Sequence, residues 1–95
     1  MNILVSACLL GVHCRYDGTG VMQEELRGLS KKHNLIPVCP EIYGGLATPR
    51  DPAERIDEQI ITKQGEDVTA QYTKGAEAIL ELCKFYDCHY AILKE

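Results

Sequence analysis

The sequence predicts an α/β fold, a single domain over residues 1–95 with a short, mostly parallel sheet flanked by helices in Rossmann-like layering. Three observations predict it. Apolar runs at 3–5, 35–38 and 90–93 have the length of buried strands. Stretches with helical spacing of apolar residues separate them. Two of the runs lead into loops rich in cysteine, glycine or proline, and in open α/β sheets ligands collect beyond the carboxyl ends of the strands.

Ninety-five residues give one core with little to spare. An apolar content of 45% with 25% charged residues is that of a soluble globular chain, not a disordered one. A net charge of -4 argues against charge-driven binding to nucleic acid or anionic membrane and leaves a small polar substrate open. No apolar run could cross a bilayer, and the N-terminus lacks the pattern of a secretory signal, so the expected location is cytoplasmic.

Taken in order, Ile3-Leu4-Val5 is the first strand, followed by a loop holding Cys8, Gly11 and Cys14. Gly18-Thr19-Gly20 breaks the chain before a helix with Met22, Leu26 and Leu29 on one face, and Asn34 is its stop. Leu35-Ile36-Pro37-Val38 is the next strand, placed at a sheet edge by its proline. Residues 39–52 hold three of the four prolines and an adjacent glycine pair, so they read as a long shaped loop without a regular element. Gln59-Ile60-Ile61-Thr62 is a short strand, and pairing with residues near Arg55 and Ile56 stays open. A helix starts at Thr69, capped by Thr69 or Asp67, with Tyr72, Ala76, Ile79, Leu80 and Cys83 on its apolar face. Gly75 inside it costs about 1 kcal/mol relative to alanine, which points to close backbone packing there. Tyr90-Ala91-Ile92-Leu93 reads as a last buried strand.

Five cysteines without a secretory signal read poorly as a disulfide framework. Cys8 and Cys39 each follow an apolar strand closely, so two parallel strands would bring both thiols to one rim. Gathered thiolates select zinc, copper(I) or an iron–sulfur cluster. Cys14 fits no standard zinc spacing and is a ligand, a redox partner for Cys8 or a packed thiol. Cys83 reads as core and Cys88 as incidental. Glu41, two residues past Cys39 and after a stiffening proline, is a candidate general acid or base. Arg15, Asp17 and Arg50 offer hydrogen bonds to a polar substrate, or to one another and to loop carbonyls.

These residues fall into blocks. Ser6-Ala7-Cys8-Leu9-Leu10-Gly11, Cys14-Arg15-Tyr16-Asp17-Gly18, Pro37-Val38-Cys39-Pro40-Glu41, Gly44-Gly45-Leu46, Thr48-Pro49-Arg50 and Gly65-Glu66-Asp67-Val68-Thr69 resemble, in order and over nearly the whole chain, the signature of domain-of-unknown-function family 523 (DUF 523). The resemblance implies a thiouracil desulfidase-like protein in which three cysteines hold a [4Fe-4S] cluster and one iron stays open for the substrate sulfur. It implies Cys8 and Cys39 as two ligands, with Glu41 beside them as acid or base. In that family a Ser-Pro-Ser-Cys-Gly block carrying the third ligand follows a segment like Ile92-Leu93-Lys94-Glu95, where this sequence stops. The expectation is therefore a truncated chain, a member without the cluster, or one in which Cys14 substitutes. His13 also stands where asparagine is common. Two rivals stand beside this reading: a zinc-binding or thiol-redox module without turnover, and a non-catalytic small-molecule or protein-binding domain.

Overall fold

Residues 1–94 are described by the computed structural model, and the apolar run at 3–5 is the centre of its sheet. Strand β1 (Asn2–Ser6) lies between β2 (Asn34–Val38) and β5 (Tyr90–Ile92), parallel to both. The register sets Ser6 opposite Val38 and Val5 opposite Ile92. A strand buried on both faces reads as a continuous apolar run, and Leu4 and Val5 are fully covered. Pro37 sits on an outer strand, as its missing N–H requires.

Helix α1 (Glu24–Ser30) covers one face of the sheet, with Leu26 against Ile3 and Val5 and with Leu29 beside them. Burying a side chain such as Leu26 contributes roughly 1.5–3 kcal/mol. Met22 precedes the helix; its first turn carries Glu24 and Glu25, which suit the positive end of the helix dipole.

The segment 39–52 departs from its reading as pure loop, because it opens with a one-turn helix, α2 (Pro40–Tyr43). Pro40 occupies the first turn, where its fixed φ suits a helix and its missing N–H costs nothing. The remainder is irregular and includes a cis Thr48–Pro49 peptide. The pairing left open in the sequence exists: β3 (Ala53–Ile56) and β4 (Gln59–Thr62) form an antiparallel hairpin that is a second, separate sheet.

Helix α3 (Thr69–Phe85) is anchored at its start by Asp67, whose Oδ1 accepts the Thr69 N–H at 2.9 Å and its hydroxyl at 2.6 Å. The Thr69 hydroxyl oxygen accepts the Ile60 N–H of β4 at 2.8 Å, tying helix to hairpin. The apolar face drawn from spacing is only partly right. Ala76 is exposed and Leu80 is 55% exposed, whereas Gly75 is buried. The contact that decides the helix orientation is backbone on backbone: a side chain at Gly75 would collide with the Pro40 carbonyl, and one at Gly44 with the Gln71 carbonyl. Two bare α-carbons thus let α2 lie directly on α3.

The last strand departs from expectation as well. Tyr90 and Ala91 are exposed and only Ile92 packs into the core, because β5 pairs on one side alone and its other edge is open. Among the described residues no helix is long and apolar enough to cross a membrane.

Candidate active site

Parallel pairing of β1 with β2 decides where the chemistry sits. With Ser6 opposite Val38, the chains leave both strands on the same rim, one as Ala7-Cys8 and the other as Cys39. The first exit winds into a 3₁₀ turn (Ala7–Leu10) and is stopped by Gly11 at φ 91°, a left-handed conformation that glycine adopts freely. The chain then loops out and returns, with the Val21 and Gln23 N–H groups donating to the Cys8 and Leu9 carbonyls at 3.0 and 2.8 Å. That return loop buries Cys14 beside Cys8, and Cys39 packs against both. The Cys39 thiol points at the Cys14 carbonyl, 3.9 Å away.

The three thiols share a cavity of about 190 Å³ with Glu41, Arg15 and Arg50. Cys8 and Cys14 are 7% and 8% exposed, so neither is an ordinary surface thiol. Burial first, then the Cys39 and Cys8 thiols as neighbours, push the Cys14 thiol up to about 11, with Arg50 pulling the other way. Burial among thiol neighbours thus favours the protonated form of Cys14, and a soft cation bound there would reverse that preference.

Arg50 braces the site. Its Nε donates to Glu41 Oε2 at 2.9 Å and Nη2 donates to the same oxygen. Nη2 also reaches the Cys14 carbonyl at 3.0 Å, and Nη1 reaches the Ala47 carbonyl and the Thr48 hydroxyl at 3.2 and 3.0 Å. All five guanidinium donors therefore have internal acceptors. Of the two uses open to Arg50 in the sequence, hydrogen bonds within the loops are the ones it makes. One side chain thus fixes the α2 carboxylate, the 47–50 turn and the Cys14 loop relative to one another.

The structure brings Cys8, Cys14, Cys39, Glu41, Arg15 and Arg50 to one cavity and leaves Asp17 out of its wall. Asp17 closes its own turn, Oδ1 accepting the Thr19 N–H at 3.1 Å and hydroxyl at 2.6 Å, which holds its carboxyl below the usual range. His13 is exposed. Ser6, Tyr16, Leu93 and Lys94 also line the cavity and were not singled out by sequence. The available signal was position: Ser6 ends β1, Leu93 follows directly on β5, and the Lys94 N–H donates to Ser6 Oγ at 2.7 Å. Tyr72 of α3 was read only as core, yet burial and then the nearby Glu41 carboxylate raise its phenol.

Among the described residues no three His, Cys, Asp or Glu side chains converge on a point that could hold a single metal ion. A lone zinc needs all its donors within about 2.0–2.3 Å of one centre. In an iron–sulfur cluster each cysteine binds its own iron, so thiols spread around a cavity suit it better. The donor set fits such a group: three thiols, two of them buried, with no disulfide among them.

The chain is 41% identical over 103 residues to the uncharacterized protein YbbK of Bacillus subtilis (strain 168), covering 98% of this chain and 68% of the relative. It also superposes on the solved structure of a [4Fe-4S]-dependent thiouracil desulfidase, TudS, with a TM-score of 0.90 and 46% identity. That match covers 99% of this chain and 64% of the other, so the chain spans about two thirds of the length of both relatives. The family model for 2-thiouracil desulfurase matches residues 3–95. By its blocks, its fold and these matches, the chain belongs to the 2-thiouracil desulfurase family, the DUF 523 type that its motifs resemble.

Proposed function

We propose that the protein is a desulfidase that replaces the sulfur of a C=S group with oxygen in a small thiolated compound such as a thiopyrimidine, using a [4Fe-4S] cluster held by Cys8, Cys39 and Cys14. The observation that carries this reading is the meeting of three thiols with one braced carboxylate in a single cavity. Family membership and the [4Fe-4S]-dependent neighbour support it.

A [4Fe-4S] cluster held by these three cysteines would supply Lewis acidity toward soft sulfur. The chain supplies the rest. Glu41, with Oε2 taken by Arg50, exchanges a proton through its other oxygen with a water beside the substrate carbon. Water contributes the new oxygen, and sulfur leaves as sulfide. Arg15 in the cavity wall offers hydrogen bonds to the polar atoms of the ring, and Asp17 shapes the turn that presents it. The Arg50 brace keeps the Glu41 carboxylate from swinging away as its charge changes.

Anaerobic reconstitution with iron and sulfide, followed by metal and acid-labile sulfide analysis, tests the proposal. Matched iron and sulfide that are lost in each of C8S, C14S and C39S, with sulfide released from 2-thiouracil by the loaded protein, are expected. A loaded protein in which C14S retains the full iron and sulfide content would remove Cys14 from the ligand set. Stoichiometric zinc with no uptake of iron and sulfide would replace the desulfidase reading by a zinc module.

A further inference from the structure

Two cysteines lie outside the cavity, and the end of α3 brings them together. After Phe85 the chain passes through Tyr86 and then Asp87, which has a left-handed φ of 52°. The Cys88 N–H donates to the Cys83 carbonyl at 2.9 Å and the Asp87 N–H to the Lys84 carbonyl at 3.3 Å. This pair of bonds around a left-handed residue is the Schellman closure of a helix. In such a closure the two residues joined by the outer bond usually make a small apolar side-chain contact. Here both of those residues are cysteines.

We propose that Cys83 and Cys88 form a reversible disulfide, a thiol–disulfide site separate from the cavity thiols. A 2.9 Å N–H···O bond between the two backbones, with standard bond lengths and angles, keeps their α-carbons within about 6.8 Å. Disulfides bridge α-carbons about 4.4–6.8 Å apart. Both side chains are half-buried and both thiols are free, so each is within reach of a small reagent. The proximity also shows electrostatically, since the Cys83 thiolate is among the groups that hold the Cys88 thiol up, after burial. The bridge closes on the turn that leads into β5, and so on the strand that delivers Leu93 and Lys94 to the cavity.

The oxidant is a low-molecular-weight disulfide, RSSR. One cysteine, as thiolate, attacks it to give a mixed disulfide and releases RSH. The second cysteine, deprotonated in turn, attacks the protein sulfur of that mixed disulfide and releases a second RSH. Two thiol hydrogens and two electrons pass from the pair to RSSR, and one S–S bond replaces another.

Oxidised and reduced glutathione in varied ratio are the probes, read by tryptic peptide mapping under acid quench. Cleavage after Lys74, Lys84 and Lys94 puts Cys83 in peptide 75–84 and Cys88 in peptide 85–94. The expected product is the two peptides joined, lighter by two hydrogens than their sum. In C83S and C88S the surviving cysteine should stop at the glutathione mixed disulfide. Because the folded turn favours the bridge, unfolding in urea should shift the half-conversion ratio toward more oxidising mixtures by about 3- to 10-fold. Separate peptides, each free or each carrying its own glutathione, would overturn the proposal. So would a half-conversion ratio that urea leaves unchanged or moves the other way.

Discussion

Replacing Gly75 by alanine tests whether the α2–α3 crossing, which seats Cys39 and Glu41, rests on backbone contact. In an ordinary helix interior Gly→Ala stabilises by about 1 kcal/mol. At Gly75 the new methyl group would meet the Pro40 carbonyl carbon and oxygen, which are main-chain atoms without a rotamer to escape into. Overpacking typically costs about 1–3 kcal/mol, and a backbone neighbour places this case near the upper end. Subtracting the helical gain leaves a net loss of about 2 kcal/mol, a fall in Tm of roughly 8–16 °C at about 4–8 °C per kcal/mol. Gly28 of α1 is the internal control, since it has open space around its α-carbon. G28A should stabilise by about 0.5–1 kcal/mol. Urea denaturation gives both values from the shift in midpoint at constant slope. Opposite signs are expected. If G75A stabilises the chain as G28A does, α2 and α3 are not in backbone contact and the placement of Cys39 needs another cause.

Arg50→Lys should destabilise by about 2–3 kcal/mol in the same assay, because a single ammonium cannot serve Glu41, Thr48 and the Ala47 and Cys14 carbonyls at once. Ser6→Ala removes the acceptor of the Lys94 N–H and should cost about 1 kcal/mol, with hydrogen exchange at the Lys94 amide rising most. The Asp67 carboxyl is held below its usual 3.8 by the Thr69 hydroxyl and N–H, so it favours the fold above that pH and this contribution disappears as pH falls through the lowered value. An NMR titration should show Asp67 returning toward 3.8 in Thr69→Val, while Asp17, held by Thr19, stays low.

Much of the parallel sheet was legible because buried strands announce themselves as apolar runs, and Pro37 named the edge. The rim pairing of Cys8 and Cys39 followed from that alone. What stayed hidden depended on distances across the chain. Cys14 could not be assigned from spacing, since its place is set by a return loop whose anchors are backbone bonds to Cys8 and Leu9. The same holds for Arg50, whose five hydrogen bonds go to four acceptors in three segments. Periodicity misled at Leu80 and Ala76, where it finds an apolar stripe but cannot say which part of the stripe meets a partner. Tyr90 failed for a related reason: an apolar three-residue strand looks alike at the centre and at the edge of a sheet.

The two borders of the three-stranded sheet are chemically unequal. On the β2 side Pro37 has no N–H to offer, so the row of donors along that strand is one short near its carboxyl end. The β5 border has no proline and carries exposed Tyr90 beside it. Lateral growth of this sheet, whether by more polypeptide or by self-association at high concentration, is thereby directed to one side. A lysine or proline introduced at Ala91 would be the economical way to keep the isolated chain in solution.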